Sequence, residues 1–574
     1  MQKGTEWMNI ILDRAVYPPG GMVSCDAQGL PEKSVQLLVT LWHLEERILR
    51  RVFQRCEAVK LQLPQRDFIG YLVEIEALDA TGKRVDRGFA GIDCASEWIR
   101  FPRYGYVWNY TEQAEPSQLL QQMKRFHING VQFYDWQYRH HIPLAPDLDC
   151  WEDWSGRTIS GKQIRAYLDA AHQAGMVCLA YNMIYAANLS YRGDESGIDP
   201  SWRLVKENGE DFTCDMDASR GETGILQYFN PLDSGWQRYI FRKEQEVMEA
   251  FSFDGWHGDT IGEMGPMRTA VGRPLGISET GEEIYLVKDT YTTFLNAAKK
   301  AMGNHYLVFN PVGAQGFDKV NASHVDVLYT EFWPWDKDDR GKLYEDYYSI
   351  HRAILRAWEQ SGKSLIVAAY INYRNPDSYF NPAAVKLMDS VVSASGGGRI
   401  EIGNGDNMLS DEYFPADQRK RMREDLQSEI IRMYDFVVAY ENLLRDGQKP
   451  ISARVDIPDR QVSLDGAANT IWCFAKEDEH HVIYHLINLV GTDANWRDTE
   501  QTKRPPEIQQ DLQVIVHTEQ PVEAVYLASP DQEDLSLHPL EFKCEMDGKD
   551  FVISFQVSEL YYWDMVILRK SARE

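Results

Sequence analysis

Phe253-Asp254-Gly255-Trp256-His257-Gly258-Asp259-Thr260-Ile261-Gly262 opens as a short buried strand and closes in a turn that holds a carboxylate between two glycines. In a chain that repeats strand and helix, a carboxylate just past a strand end sits where an α/β barrel places its chemistry. A second stretch of the same kind, Val327-Leu328-Tyr329-Thr330-Glu331-Phe332-Trp333-Pro334-Trp335-Asp336, sets Glu331 among indole rings. Two carboxylates on different strand ends point to cleavage of a sugar–sugar bond.

Working outward, the pattern strand, loop, amphipathic helix recurs from Tyr104. The predicted strands are Tyr104–Trp108, Gly130–Asp135, Met176–Asn182, Phe253–Trp256, Tyr306–Asn310, Val325–Tyr329, Ser364–Ala369 and Arg399–Ile402. Between them, Tyr285–Met302 places Leu286, Tyr291, Phe294, Leu295 and Ala298 on one helical face. Gln163–Ala174 and Tyr344–Gln360 carry similar stripes, with Gly175 and Gly362 as stops. Eight strands alternating with helices over residues 101–445 predict a central (β/α)8 TIM barrel with enlarged loops. A doubly wound open sheet is the rival, weakened because no Gly-rich phosphate loop follows the first strand. The longest insertion, about 186–232, is expected to form one wall of the cleft.

On either side the period changes to two. Leu37–Trp42, Gly70–Ala77 and the turn Asp79–Lys83 predict an N-terminal immunoglobulin-like β-sandwich over 1–100. Alternating runs such as Thr470–Phe474, His481–Leu489, Gln513–His517 and Phe551–Val557 predict a C-terminal β-sandwich over 446–574. The multi-domain reading agrees with 574 residues, too many for one ordinary core.

Composition bounds the partners. A net charge of −27 repels nucleic acid and anionic membrane surfaces, whereas a neutral polysaccharide is indifferent to it. The 16 Trp and 30 Tyr suit a surface that stacks on pyranose rings, although large proteins also use aromatics as core filler. Eight scattered cysteines show no metal spacing and read as free thiols. No cofactor is expected. The given N-terminus has no signal-peptide core and no apolar run long enough to span a bilayer, so a cytoplasmic protein, or one whose export signal was removed, is expected.

Cleaving an acetal needs a proton for the leaving oxygen and stabilisation of an oxocarbenium-like carbon; a retaining enzyme uses two carboxyl groups about 5–5.5 Å apart. Gly258 and Thr260 flank Asp259, and the Thr260 hydroxyl and amide can keep that carboxylate ionised. The apolar setting of Glu331 raises its pKa, as a general acid requires.

The blocks Arg103-Tyr104-Gly105-Tyr106, Gln132-Phe133-Tyr134-Asp135-Trp136-Gln137-Tyr138-Arg139-His140, Tyr181-Asn182-Met183-Ile184-Tyr185-Ala186-Ala187, Trp256 to Gly262 and Tyr329-Thr330-Glu331-Phe332-Trp333 together resemble glycoside hydrolase family 66, the dextranases and cycloisomaltooligosaccharide glucanotransferases. The resemblance implies Asp259 as nucleophile, Glu331 as acid/base and Asp135 as a third carboxylate shaping the cleavage subsite. It implies action on dextran or isomaltooligosaccharides at α-1,6 linkages with retention. It also implies that a glucanotransferase carries a carbohydrate-binding module inserted in its barrel, for which the roughly 29 residues between Ala369 and Arg399 leave no room. An endo-acting hydrolase is therefore expected ahead of a cyclising transferase or a non-catalytic glucan-binding protein.

Further candidates for substrate contact are Tyr181, Asn182 and Asn310 at strand ends, with helix or turn capping as the other role for the two asparagines. His140 and His257 are candidate hydroxyl contacts. The pair His140-His141 is not read as a metal site, because adjacent residues on a strand face opposite ways. Trp136 and Trp333 are the expected stacking platforms, with Trp335 packed under its loop. Glu401 either contacts substrate or pairs with Arg399.

Overall fold

In the computed structural model, residues 8–571 are described except 263, 334, 338–342, 373–378, 401, 404–406 and 409–419. The centre is a parallel sheet whose strands we number β1 Tyr104–Val107, β2 Gly130–Phe133, β3 Val177–Met183, β4 Gly255–Asp259, β5 Tyr306–Phe309, β6 Val327–Phe332 and β7 Leu365–Ala369. An eighth, β8, comes in two pieces, Gly398–Arg399 and Ile402–Gly403. Each strand pairs with its sequence neighbour; the first piece of β8 pairs with β7 and the second with β1. This ring order is consistent with a TIM-like barrel.

Helices separate the strands: α1 Pro116–Arg125, α2 Gly161–Gln173, α3 Ser234–Ala250, α4 Tyr291–Met302, α5 Phe317–Asn321, α6 Tyr347–Ser361, α7 Pro382–Ser395 and α8 Glu424–Ala439. Their ends follow local chemistry. The Asp233 carboxylate accepts the N–H groups of Gly235 and Trp236 to start α3, and Gly362, at φ 69°, ends α6 in the left-handed conformation that its missing side chain permits. The Tyr285–Met302 stripe begins as a 3-10 turn at Val287–Thr290 and becomes α4 only from Tyr291.

Alternation along the strands makes two cores. Inward residues Tyr104, Tyr106, Leu179, Val308, Val327, Tyr329, Ile366 and Ala368 fill the barrel interior. Outward ones such as Val131, Phe133, Ala180, Trp256, Phe309 and Leu328 pack beneath the helices.

Residues before β1 form two antiparallel sheets, of three and four strands, around one apolar core that includes Val23, Leu37, Val39, Ile75 and Ile92. Residues after α8 form two further sheets, antiparallel but for the parallel pairing of Val462–Ser463, around Ile471, Leu486, Val514, Phe555 and Val566. The last strand, Trp563–Lys570, is not among the strands expected from the sequence, because its six leading positions are buried on both faces and lack alternation. The units are tied by buried charge: Arg103, at the entry to β1, pairs with Asp93 of the N-terminal unit and lies 3.0 Å from Glu441. Insertion 186–232 builds its own three-stranded antiparallel sheet, Ala186–Asn188, Ile225–Tyr228 and Thr213–Asp215. Among the described residues, no helix is long and apolar enough to cross a membrane.

Candidate active site

Asp259 closes β4 and Glu331 lies one residue from the end of β6, both at the carboxyl end of the sheet. The Tyr181 hydroxyl, from β3, donates to Asp259 Oδ2 at 2.8 Å, and Asn310 Nδ2, just past β5, donates to Oδ1 at 2.8 Å. Asn310 also reaches the other carboxylate's backbone, since its Oδ1 accepts the N–H of Glu331 at 3.3 Å and of Val312 at 3.0 Å. One amide thus fixes both acids in a single frame.

The two carboxyl groups differ in their surroundings. Burial raises Asp259 to about 6, against the lowering effect of hydrogen bonds from Tyr181, the Thr260 amide and Asn310. Burial raises Glu331 further, to about 8, and the negative charge of Asp259 is the next cause, so each lies in the field of the other. The Trp333 indole N–H donates to Glu331 Oε2 at 2.8 Å, and Tyr370, directly after β7, adds a second side-chain hydrogen bond. The base-like group is therefore Asp259 and the acid-like group Glu331. Activity should follow a bell: lost as pH falls through about 6, where Asp259 protonates, and lost as it rises through about 8, where Glu331 ionises. A kcat/KM profile checks this, and a flat profile from pH 5 to 9 would contradict it.

Trp333 stacks on Trp335 with ring centroids 5.4 Å apart, and the Tyr370 ring lies 4.2 Å away. Trp335 is 57% exposed, so it extends the aromatic strip outward and does not pack under the loop. Trp136, expected as a second platform, is not in the mouth. It is 1% exposed, donates its indole N–H to the Tyr181 carbonyl, and packs on Phe251 and Phe253 in the outer core. The cause is Asp135, whose φ of 45° turns the chain away after β2 and breaks the strand's alternation. Tyr134, 4.7 Å from the Tyr181 ring, and Trp108 are the half-buried aromatics of the inner core there. Parity along β1 and β2 is the signal that finds them.

Asn182 follows Tyr181 and consequently points outward. It is fully buried, with Nδ2 donating to the His140 carbonyl and to Glu244 of α3 and Oδ1 accepting the Met183 N–H. It is framework, not a sugar contact. His140 is buried against it, Nδ1 3.1 Å from Asn182 Oδ1, and burial lowers its pKa to about 4. His257 faces inward two residues before Asp259, stacked on Tyr104, whose hydroxyl is 3.0 Å from Nδ1; burial holds it neutral, near 3. Asp135 is buried and raised to about 7 by burial, opposed by Arg157, whose Nη2 donates to the Asp135 carbonyl at 2.7 Å. Glu401 lies outside the described residues, and Arg399 pairs with Asp389 at 2.6 Å. Tyr185, directly before the insertion, accepts the Ile261 N–H on its hydroxyl at 3.1 Å.

The model of glycosyl hydrolase family 66 matches residues 12–567, nearly the whole chain. The chain belongs to family 66. A cycloisomaltooligosaccharide glucanotransferase of Niallia circulans is 25% identical, over 98% of this chain and 72% of that protein. A dextranase of Streptococcus salivarius is 26% identical, over 87% of this chain and 67% of that one. The crystal structure of a Paenibacillus sp. cycloisomaltooligosaccharide glucanotransferase complexed with cycloisomaltoheptaose shares the fold, with a TM-score of 0.87 at 23% identity over 98% of this chain and 99% of that one. Family 66 thus includes hydrolysing and transferring members among the relatives of this chain.

Removing the amide that joins the acids tests the frame. Asn310→Ala should lower kcat by about 100-fold, since it frees Asp259 Oδ1 and the Glu331 backbone together. Circular dichroism should be unchanged, because the substitution leaves the barrel's apolar layers intact.

Proposed function

We propose that the chain is a retaining, endo-acting glycoside hydrolase that cleaves α-1,6-glucosidic linkages of dextran or isomaltooligosaccharides by double displacement. The observation that carries the reading is the pair of unequal carboxyl groups held through Asn310, one hydrogen-bonded as an anion and the other raised as an acid. In the first step an Asp259 oxygen attacks the anomeric carbon, the C1–O6 bond breaks, and Glu331 gives its proton to the departing O6. In the second, Glu331 takes a proton from water, which attacks C1 and releases Asp259. Trp333, Trp335, Tyr134 and Trp108 offer stacking faces for glucosyl rings on either side of the cut. Asp135 and His257 are the further polar groups toward the sugar, in keeping with the family resemblance.

The architecture that serves this chemistry is a (β/α)8 barrel, 101–445, between an immunoglobulin-like N-terminal β-sandwich, 1–100, and a C-terminal β-sandwich, 446–574. The two apolar cores between paired antiparallel sheets support that division.

The glucanotransferase relatives favour a second reading in which an acceptor hydroxyl of the same chain replaces water. Chromatography of products from dextran separates the two: linear isomaltooligosaccharides support the hydrolase, cyclic products the transferase. Fresh products of α configuration by NMR support retention, and no new reducing ends with no cyclic sugar would leave only a binding protein.

A further inference from the structure

We infer that the C-terminal segment Gly491–Lys503 is a working part of the catalytic site, with Trp496 and Asp498 as positioning residues for Glu331. The inference rests on Glu331 being the acid/base.

Glu331 has two side-chain donors, Trp333 and Tyr370, on the loops that follow β6 and β7. The segment grips both loops. On the first, the fully buried Trp496 donates its indole N–H to the Tyr344 carbonyl at 2.7 Å and its backbone N–H to the Glu345 carbonyl at 3.2 Å. Tyr347 N–H returns a bond to the Ala494 carbonyl at 3.0 Å. Tyr344 in turn donates to the Asp336 carbonyl, and Asp336 Oδ2 accepts the Trp333 backbone N–H at 2.6 Å. An unbroken run of hydrogen bonds therefore leads from Trp496 to the Glu331 carboxyl. On the second loop, Asp498 N–H donates to the Ile371 carbonyl at 2.8 Å and the Asn372 side chain donates to the Asp498 carbonyl. Ile371 is the neighbour of Tyr370.

The segment is itself stiff. Asp498 Oδ1 accepts the N–H groups of Thr502 at 2.7 Å and Lys503 at 3.2 Å, and the Lys503 ammonium, 1% exposed, pairs with Asp493 at 2.7 Å. Other contacts also dock the domain. Phe474 against His351, with ring centroids 4.4 Å apart, and Trp563 against Phe436, at 5.2 Å, anchor the C-terminal unit on α6 and α8. What the segment adds is a fixed distance between two donors carried by separate loops. Among the described residues, the charged groups that act on Glu331 are Asp259 on β4 and Asp336 on its own loop, with Arg497 of the segment acting on Asp336.

The test compares two leaving groups. Glycosylation of an α-1,6-glucan needs Glu331's proton, whereas a nitrophenyl α-isomaltoside does not, and its nitrophenolate burst reads glycosylation alone. Trp496→Ala should lower kcat/KM on dextran about 100-fold and the burst rate less than tenfold, and it should move the alkaline limb of the dextran pH profile. Trp496→Phe, which keeps the packing and loses the N–H, should show the same pattern at about tenfold. It stands in if the alanine variant fails to fold. Asp498→Ala, which frees the Thr502 and Lys503 N–H groups but keeps the backbone bonds to Ile371 and Asn372, should give a smaller loss of the same kind. Equal losses on both substrates, or an unmoved alkaline limb, would overturn the inference while the functional reading stands. A wild-type protein inert on every α-1,6-glucan would overturn both.

Discussion

Asp259→Asn is expected to lower kcat on an α-1,6-glucan by about 10,000-fold or more, with the fold retained. The amide cannot form the glucosyl ester, and Glu331, the other acid joined through Asn310, is assigned to proton transfer. The same change should pull the pKa of Glu331 down, because it deletes the Asp259 charge, the largest cause after burial. Carboxyl carbon NMR of Glu331 in the two proteins reads that shift directly. A variant with full activity, or one in which Glu331 titrates unchanged, would remove Asp259 from its assigned place.

How much of this was legible in the sequence depends on parity and distance. The end of β5 at Asn310 was readable to within one residue from the period of two and the change of pattern. By contrast, β4 runs on to Asp259 and β6 to Phe332, each three residues past the ends expected at Trp256 and Tyr329, so both acids lie on their strands and not in turns beyond them. Tyr181 was readable on the same ground, and that ground also excludes Asn182, which must face the other way. The Trp136 expectation failed at one residue: continuing the β2 alternation past Asp135 assumes extended backbone, and that residue is left-handed. Tyr370 was within reach, being the first residue past a strand that ended where expected, at Ala369. The hold of Gly491–Lys503 on the loops of Glu331 was not, because it joins residues more than a hundred apart through backbone carbonyls. Those acceptors exist at every position and leave no mark in composition or periodicity.

The second large effect belongs to Glu331. Glu331→Gln should cost about 100- to 10,000-fold on dextran, where O6 is a poor leaving group, and far less in the nitrophenolate burst, where no proton is needed. Deglycosylation also loses its base, so the nitrophenyl substrate should give a burst followed by slow turnover. Added azide, which attacks C1 without a base, should restore turnover and yield an α-glycosyl azide. Stability should move the other way. A carboxyl group whose pKa rises from about 4.3 unfolded to about 8 folded favours the unfolded chain increasingly as pH climbs between those values. The glutamine has no such proton to lose, so the variant should melt higher than wild type at pH 7 and the gap should close near pH 4. Loss of activity without that pH-dependent gain would mean that Glu331 is not held protonated by its surroundings, and the acid's role would pass to another group in the mouth.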